Sequence, residues 1–360
     1  MKSNRNWCLS GIIVVAALGC GGQGDVSEVS DLSTLNTSSS GDIEDTDGVS
    51  ELAGEVKIDG SSTVYPISEA AANDFRKEFP GVSIKVGTSG TGGGFKVFSK
   101  GESDISDASR PIKKAEFDQC KQNSVEFIEI PVAYDGLTIV VNLENSWVTQ
   151  LTVEQLKKIF GERGAAKNWS DVNPEWPAEA IKIYAPGTDS GTFDYFKEVV
   201  ADEDSSLRSD MSVSEDDNIL VTGVKREKNA IGFFGAAYYF ENADSLKAIP
   251  IVNPDTSEAV LPSPETIESG VYAPFSRPLL IYVNVASLKR PEMKKFASFY
   301  LDKAAKFSVQ VGYVGLPSSV YDAARTHLQG RLTGTHFIDE AGAKRSGALP
   351  DLYTSESLVK

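Results

Sequence analysis

Cysteine is almost missing from this 360-residue chain: only Cys8, Cys20 and Cys120 occur. Cys8 and Cys20 fall in an N-terminal stretch that reads as an export signal, so Cys120 stands alone in the body and neither an internal disulfide nor a cysteine metal cluster is available. Histidine is scarcer still, with His327 and His336 far in sequence from every loop rich in glycine and hydroxyls. That distance removes support for a Ser-His or Cys-His nucleophile, and no H-E-x-x-H pair offers a metal site. Both histidines are expected on the solvated surface. Basic residues are outnumbered, 35 Lys and Arg against 51 Asp and Glu, and a formal charge of −16 argues against nucleic acid, which needs basic surface to neutralise phosphates. Two nucleotide signatures are absent as well. Gly87 to Phe95 holds no Gly-Lys-Ser/Thr step, and the spacing G-x-G-x-x-G fails because Phe95 stands at its last position.

No apolar run is long enough to cross a bilayer, for which about 20 residues are needed. Instead, residues 1–20 carry Lys2 and Arg5, then a short apolar stretch from Ile12 to Leu18, then Ala17-Leu18-Gly19-Cys20, which resembles a lipoprotein processing site. Lipidation of Cys20 is expected, with the protein exported and anchored to the membrane. Residues 21–55 follow with Asp25, Glu28, Asp31, Asp42, Glu44, Asp45, Asp47 and Glu51 and no Lys or Arg. Low hydrophobicity and uncompensated like charge predict a disordered acidic tether. The folded body is placed at about 56–330, and residues 331–360 form a tail with no sustained period, to which no role is assigned.

Within the body, β-branched runs alternate with helical spacing: Val56 to Ile58 then Ile67 to Phe79, Val82 to Val86 then Phe95 to Lys100. Strands are predicted again at Phe127 to Val132 and at Leu137 to Asn142, and a helix at Thr152 to Phe160. This alternation predicts an α/β protein with largely parallel sheets. On the first helix Ala70, Ala71, Phe75 and Phe79 share one face while Glu69, Asn73, Arg76 and Lys77 take the other. Phe233-Phe234, Tyr238 to Phe240 and Phe296 to Tyr300 read as core or packing aromatics, and Ser214 to Asn218 as an acidic loop.

Three loops put hydroxyls and glycine ahead of helical segments: Gly60-Ser61-Ser62-Thr63, Ser89-Gly90-Thr91-Gly92-Gly93-Gly94 and Thr188-Asp189-Ser190-Gly191-Thr192. A helix N-terminus leaves backbone N–H groups without partners and carries partial positive charge, so each loop is a potential anion cradle. Their separation in sequence suggests convergence on one small oxyanion. Because the chain as a whole repels anions, capture must rest on local dipoles and a few donors in an enclosed cleft.

Longer stretches carry a resemblance. Ile58 to Pro66, Gly90 to Lys96, Asp104 to Ile112 and Gly187 to Phe193 are similar to the substrate-binding proteins of high-affinity phosphate ABC transporters. The likeness continues through Ala133 to Leu137, Ser214 to Asn218, Ile231 to Gly235 and Ser276 to Leu279. It implies a type II periplasmic-binding-protein fold, two α/β lobes joined by crossing hinge strands near Val132 to Asp135 and Tyr272 to Ser276. The first lobe would be discontinuous, 56–133 with 275–330, and the second 134–274. Phosphate would be held by Ser62 and Thr63, by Thr91 and Gly92 with Ser89 as the competing choice, by Ser109 and Arg110, and by Ser190, Gly191 and Thr192. Many relatives carry an arginine just ahead of the third loop; Ala185 to Asp189 has none, so Arg110 is the cation or the site lacks one. Phosphate also carries a proton that a carboxylate can accept, and Asp135 is preferred for this over Asp107 and Asp104. The implied protein is a non-enzymatic monomer without cofactor or metal that hands phosphate to an ABC permease. A receptor for sulfate or molybdate, a phosphate-sensing protein, or an enzyme on this scaffold are the alternatives.

Overall fold

The computed structural model describes residues 52–188, 190–201, 205–345 and 347–360. The export signal, Cys20 and nearly all of the acidic tether lie outside the described residues. Its elements run β1 (Gly54–Gly60), α1 (Tyr65–Glu78), β2 (Val82–Val86), α2 (Thr91–Phe98), β3 (Ile105–Ala108), α3 (Lys114–Gln122) and β4 (Phe127–Val141). Then come α4 (Val153–Phe160), α5 (Trp169–Val172), β5 (Lys182–Pro186), α6 (Gly191–Val200), β6 (Ser212–Ser214), α7 (Asp217–Arg226), β7 (Ala230–Gly235) and α8 (Ala236–Glu241). The chain closes with β8 (Lys247–Ala248), β9 (Ile251–Val252), β10 (Ala259–Val260), α9 (Pro264–Glu268), β11 (Ser276–Asn284), α10 (Pro291–Gln310), α11 (Ser318–Gly330) and α12 (Leu349–Leu352).

One nine-stranded sheet is ordered β2-β1-β3-β11-β4-β7-β5-β6, with β8 added on β4. Strand β1 pairs in parallel with both β2 and β3, so the crossover through α1 runs from β1 to β2 and the one through α2 runs back the other way, from β2 past β1 to β3. Right-handed connections then put the two helices on opposite faces. On one, Phe75 of α1 meets the rings of Phe296 and Phe299 of α10 at 5.2 and 5.1 Å. On the other, Phe95 of α2 meets Tyr282 of β11 at 4.8 Å. Both helices start at the carboxyl ends of strands, which is where open α/β sheets hold ligands.

The sheet is mixed and not largely parallel, because β11 runs antiparallel to β3 and β4, and β4 antiparallel to β7. Two further sequence expectations are corrected here. The strands predicted at Phe127 to Val132 and Leu137 to Asn142 are one 15-residue strand, buried along its whole length. Its first part pairs with β11 and Leu137 to Val141 pair with β7, so partners on either side override the turn signal of Asp135-Gly136. Helix α2 begins at Thr91 and takes in Gly92 to Gly94, and Gly94 packs so closely on β1 that a Cβ there would come within 2.6 Å of the Gly60 Cα.

The C-terminal segment also departs from expectation. Thr335, His336, Phe337, Ile338, Leu349 and Tyr353 are buried, and Thr335 and Val359 exchange backbone hydrogen bonds of 2.9 and 2.8 Å. The histidines are not on the surface: each is 1% exposed. Their rings stack 5.0 Å apart with planes 5° from parallel, and the Tyr353 ring leans on both. His336 is drawn in by Glu129 of β4, itself buried, which accepts from the His336 backbone N–H at 2.9 Å, from Thr335 Oγ1 at 2.7 Å and from Tyr282 OH at 2.8 Å. A buried carboxylate needs that many donors. Cys120 is buried as well, its thiol pushed up to about 12 by burial, which fits a thiol without chemistry.

Candidate functional site

Strand β1 delivers Gly60 to Thr63 against the end of β3. Gly60 has φ +146 and leaves no room for a side chain, since a Cβ there would fall 2.1 Å from the Asp107 carbonyl oxygen. That closeness lets the Ser61 N–H donate to Asp107 O at 2.9 Å, while Ser61 Oγ accepts from the Thr63 N–H at 3.2 Å. The first loop is thereby fixed before α1 begins.

In the second loop the roles divide. Ser89 turns to Asp59, donating from its backbone N–H at 3.1 Å and from Oγ at 2.8 Å. Thr91, at the start of α2, accepts at Oγ1 from the Ser109 N–H at 3.2 Å and lies 3.1 Å from Ser109 Oγ. A cavity of about 220 Å³ opens between these loops, lined by Ser61, Ser62, Thr63, Gly90, Thr91, Gly92, Ser109, Arg110, Asp194, Glu198 and Arg277.

Among the described residues, two guanidinium groups face it. Arg110 lies beside Phe95, 5.7 Å from the ring centroid, and donates from Nη1 and Nη2 to Glu116 at 2.9 and 2.7 Å. Arg277 enters from β11, opposite Asp135 in the register with β4. It donates from Nε to Asp135 Oδ2 at 3.1 Å, from Nη1 to Glu198 at 3.3 Å and from Nη2 to Thr63 Oγ1 at 3.2 Å. Its guanidinium covers the Tyr195 ring at 3.6 Å. The expectation that Arg110 is the cation or that none exists is therefore corrected: Arg277 is a second one, supplied from 214 positions beyond Thr63.

Asp135 is buried behind Arg277 and does not line the cavity; burial pushes its carboxyl up, with Arg277 opposing. Asp107 is wholly buried beneath Gly60, and burial pushes it up to about 8. Asp104 bonds the Lys57 N–H, Ser287 and Arg290, away from the cavity. Among the described residues, the carboxylates that do line the cavity are Asp194 and Glu198 on α6. Burial raises Asp194, against Lys197 and Arg277.

The third loop arrives from β5. Ser190 caps α6, its hydroxyl accepting from the Thr192 N–H at 3.2 Å. Gly191 sits against Thr63, with a Cβ position only 2.8 Å from Thr63 Oγ1, so a larger residue would push the first and third loops apart. Ser190, Gly191 and Thr192 line a second cavity of about 470 Å³ with Ser62, Glu215 and Asp217, and Ser62 borders both. Burial, with Asp216 and Glu215 nearby, pushes Asp217 up to about 6. Of the expected residues the structure thus gathers Ser62, Thr63, Thr91, Gly92, Ser109 and Arg110 on one cavity and the third loop at its edge. Ser89 and Asp135 stand outside. Sequence reasoning gave no role to Arg277, Asp194 or Glu198; the only signal was the placement of Arg277 within Ser276-Arg277-Pro278-Leu279 and of Asp194 just inside the helix after the third loop.

A family model describing a PBP superfamily domain matches residues 45–304. Protein SphX of Synechococcus elongatus is 46% identical over 305 residues, 84% of this chain and 89% of that protein. The phosphate-binding protein PstS of Staphylococcus saprophyticus is 41% identical over 276 residues, 76% of this chain and 84% of that protein. Among solved structures, a possible phosphate binding protein from Planctomyces limnophilus superposes with a TM-score of 0.76 at 44% identity, covering 78% of this chain and all of that one.

Proposed function

Because the chain belongs to the phosphate-binding proteins of the PBP superfamily, we propose that it binds inorganic phosphate outside the cytoplasm and delivers it to an ABC permease. The observation that carries this reading is the small cavity where Arg110 and Arg277 face the hydroxyls of Thr63, Thr91 and Ser109 at the start of α2. Guanidinium forks suit phosphate geometry, and hydroxyls with a helix N-terminus add neutral donors that need no compensating anion. Residues 56–133 with 275–330 act as one lobe and 134–274 as the other, and Ser190, Gly191 and Thr192 close over Thr63 when the ligand is in place. Asp194 takes the role first expected of Asp135: it lines the cavity and its raised carboxyl can share the proton that phosphate brings. Export, lipidation at Cys20 and a monomeric receptor complete the proposal. Its family is one of solute receptors, and no catalytic step is assigned.

Calorimetric titration of protein freed of phosphate by unfolding and refolding tests this. Phosphate and arsenate are expected to bind one to one, with sulfate and molybdate far weaker. Preference for sulfate or molybdate, or silence toward phosphate, would overturn the reading.

A further inference from the structure

The charge around the cavity is not what an anion receptor suggests. Among the described residues its two guanidiniums are faced by four carboxylates: Glu116 on Arg110, Asp135 and Glu198 on Arg277, and Asp194 on the wall. An entering dianion therefore meets no net positive charge. Binding must come from oriented donors and from any proton the anion carries, and this balance penalises an anion that carries none.

Two members of this set, Asp135 and Glu116, stand outside the cavity and act on it through an arginine, and Glu116 is the one that holds Arg110. A guanidinium has five N–H donors. Glu116 takes the end of the Arg110 fork with both oxygens, and Pro111 O accepts from Nη1 at 3.1 Å. What is left is the side edge formed by Nε and the second Nη2 proton, and Nη2 is the atom beside Gly92, 3.9 Å from its Cβ position. Glu116 is itself held at the N-terminus of α3, where Oε2 accepts from the Lys113 N–H at 2.8 Å. Its carboxylate cannot swing away without uncapping that helix.

Resting on the phosphate reading, we infer that Glu116 determines anion selectivity by holding Arg110 end-on, which aims the Nε/Nη2 edge at the first turn of α2 while cancelling the guanidinium charge. Glu116 is a positioning residue; it makes Arg110 a directional donor without making the cavity attractive to every dianion.

The test is Glu116→Gln, measured by titrating phosphate and sulfate separately and in competition on the full chain. Glutamine can still accept from the Lys113 N–H, so the α3 cap is retained. Loss of the charge is expected to strengthen sulfate binding and to lower the phosphate-to-sulfate affinity ratio about tenfold. Glu116→Asp, which restores a carboxylate, is expected to bring the ratio back toward the wild-type value. Parallel weakening of both anions, with the ratio unmoved, would make Glu116 a structural residue only and overturn the inference. Wild-type protein silent toward phosphate would instead overturn the proposed function from which the inference proceeds.

Discussion

Arg277 joins more of the site than any other side chain, and each of its contacts has a physical reason. Its place opposite Asp135 in the β4–β11 register makes the ion pair a cross-strand pair, and Tyr195 supplies a face for the guanidinium. The pair is nearly dry, with side-chain exposures of 11% and 1%. Breaking such a pair from one side leaves a buried charge without compensation, which costs about 3–5 kcal/mol. Arg277→Ala should therefore lower folding stability by roughly that amount in urea unfolding, and should abolish measurable phosphate binding by calorimetry. Arg277→Lys should restore part of the stability and little of the affinity, since an ammonium is a point charge and not a fork. Full phosphate affinity in the lysine variant would show that only charge matters there. Sequence spacing could not find this residue: its importance comes from contacts with Thr63 and Asp135, 214 and 142 positions away. The hydroxyls of the first two loops were legible because local glycine and hydroxyl chemistry at helix starts can be read over a few neighbouring positions. Ser89 misled for the same reason, since its partner Asp59 lies 30 positions earlier and turns it out of the cavity.

Helices α1, α2 and α6 each start at the carboxyl end of a strand, and that placement follows from the parallel pairings of β1 with β2 and β3 and of β5 with β6 and β7. Apolar spacing made the first helix visible in advance, because Ala71 and Phe75 recur on the buried face. The segment after α11 was illegible for the opposite reason. It has no periodic face of its own and is held by partners distant in sequence, among them Phe127, Tyr134 and Glu129, whose contact with His336 spans 207 positions. Buried His327 makes this segment acid-sensitive. Burial and the neighbouring His336 push His327 from 6.5 down to about 4. A depressed folded-state value means that the native state binds fewer protons than the unfolded chain, so the contribution is complete above about 6.5 and lost as pH falls toward about 4. The melting temperature should decline across that window, and His327→Gln, which cannot take up the proton, should flatten the decline. An identical acid profile in the variant would remove His327 from the account.

At the scale of the whole molecule, the charge of −16 and the binding of an anion are reconciled by confinement. The cavity uses short-range donors within an acidic surface, and even its guanidiniums are compensated by carboxylates. The α/β class was legible from alternating patterns, whereas the antiparallel centre of the sheet was not, since β11 joins β3 and β4 from late in the chain and leaves no local mark of its direction. The central claim is that one tetrahedral anion sits between Arg110 and Arg277. Arsenate offers the most direct view of it, because arsenic can be located by its own anomalous scattering in crystals grown with saturating arsenate. The account predicts one peak in the cavity of about 220 Å³, with oxygens about 2.7–2.9 Å from nitrogens of both guanidiniums. A peak beside Glu215 and Asp217 in the neighbouring cavity, or no peak at all, would contradict it.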